Sequence, residues 1–179
     1  MSKSTVFWFA LAGFLLPATA SQALNAQNDS GGDPYAVPAA RMVVAFAEYT
    51  RWPSDPRLFQ LCIVGSAAHA DEFRNLALAD GRRINARRIA ATAVDAASCQ
   101  LLYLGEMPAD AVRGLTEKVR GKGVLTIAEA DPQCRSNAMF CLQYRAGLLS
   151  FKMNLDAISR SGLKVDPRVL RLSASKGEI

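Results

Sequence analysis

Four cysteines, a single histidine and a few strand-end carboxylates are the side chains of this 179-residue sequence best suited to covalent or acid–base chemistry. Cys62, Cys99, Cys134 and Cys141 allow three disulfide pairings. Cys134 and Cys141 stand seven apart and flank a loop, which suits a local bridge. Cys62 falls in one predicted strand and Cys99 just before another, so they pair if those strands are neighbours. A zinc site competes with this reading, but there is no CxxC and His69 stands apart from all four thiols. The missing CxxC also argues against a thioredoxin-like redox role. His69 lies in a predicted surface helix beside Ala70 and Asp71 and reads as a solvated side chain rather than a base. Glu106, Glu129 and Asp131 fall near the carboxyl ends of predicted strands, where open α/β sheets bind ligands. Without a base partner or a metal set they read as loop acids. Ser66-Ala67-Ala68 replaces a glycine-rich phosphate cradle after the first long strand, and no Walker, GxSxG or HExxH motif occurs. The expectation is a protein that is not an enzyme and carries no cofactor.

What remains is surface chemistry. Tyr49-Thr50-Arg51-Trp52-Pro53 places an aromatic, a guanidinium and an indole at one helix exit, the residue types that dominate protein interfaces. Trp52 reads equally well as a plug for the end of the core. Arg82, Arg83, Arg87 and Arg88 form a basic run that reads first as a solvated strand face. Near the C-terminus, Ser150 to Leu172 specify their own geometry. Asn154 is placed to N-cap a short helix, Gly162 to end it at positive φ, and Asp166-Pro167 to start another turn. Arg160, Lys164, Arg168 and Arg171 make that block cationic, a candidate partner or ligand surface together with Tyr49, Arg51 and Trp52.

Compartment follows from the N-terminus. Lys3, an apolar run from Val6 to Leu16 and the small-residue site Pro17-Ala-Thr-Ala20 have the form of a cleavable signal peptide over residues 1–20. The run is about eleven residues, against the roughly 20 that a spanning helix needs. Cleavage after Ala20 is the first choice, with Ala23 and Ala26 as alternatives. Residues 21–34 read as a polar flexible leader, 35–173 as one domain and 174–179 as a flexible tail. Export would favour cysteine pairing. The formal net charge of +5 falls to +4 without Lys3, which suits an acidic partner; nucleic acid is excluded as a partner by the exported location.

The elements that must position these groups alternate. A helix is predicted over Pro38–Tyr49, with Val43, Val44, Phe46 and Ala47 as its apolar stripe, ended by Trp52-Pro53. Strands are predicted over Leu58–Gly65, Arg82–Ala90, Leu101–Leu104 and Gly123–Ala128, with helices over Ala67–Ala79 and Pro108–Arg120 between them. Met139–Arg145 and Leu148–Met153, separated by Ala146-Gly147, read as a hairpin. The fold class is therefore α/β: a mostly parallel sheet with helices on both faces and an antiparallel hairpin near the C-terminus.

Tyr-Thr-Arg-Trp-Pro (49–53), Leu-Cys-Ile-Val-Gly (61–65), Leu-Thr-Ile-Ala-Glu (125–129), Met-Phe-Cys-Leu (139–142) and the block from Asn154 to Leu172 resemble the YfiR family of periplasmic regulators. The resemblance implies an α/β sandwich with two disulfides, Cys62 to Cys99 and Cys134 to Cys141. It implies binding to the periplasmic sensory domain of an inner-membrane diguanylate cyclase, which is held inactive so that cyclic di-GMP stays low. An OmpA-like outer-membrane lipoprotein would sequester the repressor under envelope stress. The wider family often carries Phe-Ala-Lys-Phe-Val-Glu-Trp-Pro at the first helix, commonly without the cysteines. This chain has Phe46-Ala-Glu-Tyr-Thr-Arg-Trp-Pro53 and all four cysteines, which favours the cyclase-repressor branch. A small-ligand receptor or an accessory to another membrane sensor, such as a histidine kinase, is the alternative, and a homodimer stays open.

Overall fold

The computed structural model describes residues 32–174; the expected signal peptide, most of the polar leader and the last five residues lie outside them. Helix α1 (Ala36–Glu48) ends short of Trp52-Pro53, with Tyr49 as its C-cap. The chain then forms a two-residue strand β1 (Thr50–Arg51) and the long strand β2 (Leu58–Val64). Strands β3 (Leu76–Ala77), β4 (Arg83–Arg88) and β5 (Leu101–Leu104) lead to helix α2 (Ala109–Val119) and strand β6 (Leu125–Ala128). Strands β7 (Phe140–Arg145) and β8 (Leu148–Met153) form the hairpin. Helix α3 (Leu155–Ser159), strand β9 (Lys164–Val165) and helix α4 (Arg171–Ala174) follow.

The main sheet has the order β3-β4-β2-β5-β6-β7-β8. The four central pairings are parallel, and the two outermost, β3 with β4 and β7 with β8, are antiparallel. A central parallel strand is covered on both sides, which is why β5 and β6 are buried along their whole length. Side-chain alternation then divides the interior. Phe59, Leu61, Ile63, Leu101, Tyr103, Leu125 and Ile127 pack with Ala39, Val43, Phe46 and Ala47 of α1. Cys62, Val64, Leu102 and Leu104 pack with Val112, Leu115 and Val119 of α2. Phe46 stacks on Phe140 at 3.9 Å between centroids, clamping α1 to the hairpin.

One expected element is absent. No α-helix forms over residues 67–79; a 3-10 turn (Asp71–Asn75) is followed by β3, which pairs with the edge of β4. Phe73, Leu76 and Leu78 do point inward as expected. Leu76 and Leu78 alternate with exposed Ala77 and Ala79, a strand pattern that the alanine content disguises. The C-terminal caps match their chemistry: Asn154 Oδ1 accepts from Ala157 N, Asp166 Oδ1 accepts from Arg168 N, and Gly162 has φ +81°.

Both disulfides are formed, Cys62 with Cys99 and Cys134 with Cys141. The first joins β2 to the segment entering β5 inside the α2 layer, with both cysteines fully buried. The second closes a loop whose backbone amides Arg135 N and Ser136 N donate to Asp131. Their sequence separations are 37 and 7, so loop-closure entropy assigns about 4 kcal/mol to the first and about 2 kcal/mol to the second. Replacing Cys62 and Cys99 by alanine is therefore expected to lower Tm more than replacing Cys134 and Cys141, measured by thermal melts of the two double variants. Equal losses would contradict this ordering.

Candidate partner surface and polar pocket

Two distant segments of the candidate surface are brought together by a second small sheet. Strand β1 pairs antiparallel with β9, setting Thr50 opposite Val165 and Arg51 opposite Lys164. The turn into β1 is prepared by Thr50, whose hydroxyl donates to the Phe46 carbonyl at 2.7 Å. The ribbon is extended by Asp166 N, which donates to Tyr49 O at 2.8 Å. Asp166 in turn holds Arg168: Nη2 donates to Oδ2 at 2.6 Å. That hydrogen bond, together with the Arg168 backbone amide and charge, lowers the Asp166 pKa to about 2. The Arg168 guanidinium also interacts with Tyr49. Tyr49, Arg51, Lys164 and Arg168 thus share one ribbon, with Arg51, Lys164 and Arg168 exposed.

The other candidates sit elsewhere. Trp52 is 8 % exposed and packs edge-on against Phe59 at 4.8 Å, so it is the core plug. Arg160 ends α3 in an ion pair with Asp156 at 2.8 Å, and Arg171 begins α4. In the basic run, Arg82 binds Asp55 and Asp80 and lies over the Phe59 ring. Arg87 donates to Ser98 O, and Arg88 donates to Ala67 O.

Sequence reasoning passed over the most unusual polar cluster of the molecule, at the carboxyl ends of β2, β5, β6 and β7. Glu129, directly after β6, is only 5 % exposed rather than a loop acid on the surface. Its Oε1 accepts from His69 N at 3.0 Å, while its Oε2 is buried without a hydrogen-bond partner. Burial pushes the Glu129 carboxyl above the ordinary range, opposed in part by the His69 amide and ring. The Tyr103 hydroxyl lies beside the same carboxyl and 3.4 Å from the Tyr144 hydroxyl. Burial raises both phenols.

His69 is likewise not a solvated helical side chain. Because residues 67–79 are not α-helical, its backbone amide is free to reach Glu129. Its Nδ1 sits 2.7 Å from Asp33 Oδ2, and its Nε2 is 3.8 Å from Glu129 Oε1. Tyr35 and Tyr144 pack on the imidazole at 5.2 and 4.2 Å. Asp33, which the sequence places in the polar leader, is therefore tied to the sheet edge. The signal that could have revealed this cluster is an acid directly following a strand with no polar face, since such a carboxyl is carried inside with the strand.

A cavity of about 330 Å³ opens here, lined by Ser66, His69, Glu106, Glu129, Leu142 and Tyr144, among others. Beside it the ends of β2 and β5 approach closely at Gly105, where a Cβ would lie 2.5 Å from Ala67 N and Ser66 C. Ser66 and Glu106 exchange backbone hydrogen bonds across the two strand ends, 3.1 Å from Ser66 N and 2.8 Å from Glu106 N.

Glu129→Gln keeps an acceptor for the His69 amide and removes the charge. A carboxyl with a raised native pKa contributes most stability below the ordinary value of about 4.3, and loses it as pH rises through the native pKa. The variant is therefore expected to melt higher than wild type at about pH 8, the gap closing as pH falls toward about 4. Thermal melts across that range test this; a variant less stable than wild type at the alkaline end would contradict it.

A protein-family profile described as YfiR/HmsC-like matches residues 37–174. That span takes in α1, every strand of both sheets, both disulfides and the C-terminal caps. Among the described residues no helix is long and apolar enough to cross a membrane. With a profile match covering well over half of its length, this chain belongs to the YfiR/HmsC-like family.

Proposed function

We propose that the protein is a periplasmic repressor that binds the periplasmic sensory domain of an inner-membrane diguanylate cyclase and keeps cyclic di-GMP synthesis low. The family match over residues 37–174 carries this reading. The β1–β9 ribbon supports it by offering a contact surface. Arg51 and Lys164 stand side by side on an exposed two-stranded sheet, flanked by Tyr49 and Arg168. Such a patch fits an acidic face on the partner, because complementary charge steers encounter and fixes orientation. Asp166 holds the Arg168 guanidinium in place and so limits the side-chain entropy lost on binding. In this reading an OmpA-like outer-membrane lipoprotein competes for the repressor, and the signal peptide directs export before it is removed.

The disulfides suit that location, since an oxidising compartment preserves them. They also link envelope redox state to the amount of folded repressor, because a bridge worth about 2–4 kcal/mol is a large part of a marginal stability.

Deleting the gene is expected to raise cyclic di-GMP and biofilm in a strain carrying the cyclase, measured by nucleotide extraction and surface staining. Unchanged levels would overturn the proposal. At the level of the surface, Arg51→Glu with Lys164→Glu is expected to weaken binding to the cyclase's periplasmic domain by about tenfold or more. The loss should fall mainly on the association rate and shrink at high salt, with an unchanged melting temperature because both residues are exposed. Wild-type binding kinetics in the double variant would remove the ribbon from the interface.

A further inference from the structure

The Glu129 pocket lies at the place where an open α/β sheet binds small molecules. Strand β2 has β4 on one side and β5 on the other, so the chain leaves β2 in one direction along the sheet and returns past it to continue in the other. The connections after β2 and β5 diverge there, and the crevice at their carboxyl ends is the topological switch point of the sheet. The cavity is lined by Ser66 from the end of β2, Glu106 from the end of β5 and Glu129 from the end of β6. Its volume of about 330 Å³ lies at the lower end of the range for small-ligand sites.

Carboxyls dominate the charge of the lining: Glu106 and Glu129 are among its residues with Ser66 and Tyr144, His69 is its one basic side chain, and no lysine or arginine is present. Asp33 stands behind His69, adding a third carboxylate to the surroundings. The Tyr144 and His69 rings pack against each other at one side, with 4.2 Å between centroids. Glu129 is nine-tenths buried, yet Oε2 has no donor, an arrangement that costs free energy wherever nothing completes it.

We propose that this pocket is a receptor site for a small organic cation, one bearing an ammonium or guanidinium group. The cation donates to the Glu129 and Glu106 carboxylates in charge-assisted hydrogen bonds, beside Tyr144 in the lining. A bound positive charge stabilises the ionised form of Glu129 against its burial, so the group that weakens the empty protein becomes the anchor of the occupied one. The site lies on the main sheet, whereas the proposed partner surface lies on the separate β1–β9 sheet, and the proposal does not depend on the identity of the membrane partner.

Isothermal titration calorimetry on the purified, disulfide-oxidised protein tests it, with putrescine and agmatine as cationic probes and succinate as an anion of similar length. One-site binding of at least one cation, with no heat from succinate, is expected. Glu129→Gln should weaken that binding by at least tenfold while leaving the protein folded by circular dichroism. Glu106→Gln, at an exposed position that folding does not depend on, should weaken it severalfold and keeps the test decisive if the first variant misfolds. Binding of neither amine to the wild-type protein, succinate binding in their place, or undiminished affinity in both variants would each overturn the proposal.

Discussion

The structure depends on a sheet whose central strands are covered on both sides. Once Phe59, Leu61 and Ile63 of β2 face one layer, period-two alternation forces Cys62 and Val64 into the other. The same division runs through β5, and in β6 Leu125 and Ile127 join the α1 layer while Ala128 packs with Ala138 and Cys141. It seats α1 against one set of side chains and α2 against the other. It also carries Cys62 into the α2 layer, where Cys99 is waiting at the entrance to β5. The larger loop-closing disulfide is thus a consequence of strand alternation, and it locks two adjacent parallel strands whose pairing brings together residues far apart in sequence.

Two proposed functional regions follow from that frame at different places. The carboxyl ends of the parallel strands converge on Ser66, Glu106 and Glu129, and the close approach at Gly105 holds the first two within backbone hydrogen-bond distance. Glu129 is buried because it directly follows a strand that has no exposed face. The other region forms where α1 ends. Trp52 turns into the core against Phe59 and Thr50 is buried beside it, while Arg51 is exposed opposite Lys164 of β9. One helix exit therefore supplies both a core plug and an exposed cationic ribbon, which resolves the two readings that Trp52 allowed.

The family membership and the geometry reinforce each other without being the same argument. The profile match spans the domain and points to a regulator that works by binding. The proposed ribbon and pocket would give such a protein an output surface and an input site on two separate sheets. Buried, imperfectly satisfied polar groups such as Glu129 Oε2 and Trp52 Nε1 reduce stability, and the two disulfides offset part of that loss.

What the sequence determined alone were the features whose physics is local. The apolar runs of β2, β5 and β6, the amphipathic α2 and the β7–β8 hairpin were legible because periodicity and turn chemistry act over a few residues. Asn154, Gly162 and Asp166 were legible for the same reason, each answering a backbone requirement of its immediate neighbours. Tertiary structure decided the rest. Residues 67–79 became a 3-10 turn and an edge strand because β4 offered unpaired backbone groups, outweighing the helical preference of their alanines. Arg51 met Lys164, and Asp33 met His69 and through it Glu129, only because the sheet and its flanking ribbon joined segments that the chain keeps far apart. Burial and partnership of a charge are set by what surrounds it, and those surroundings exist only once the chain has folded.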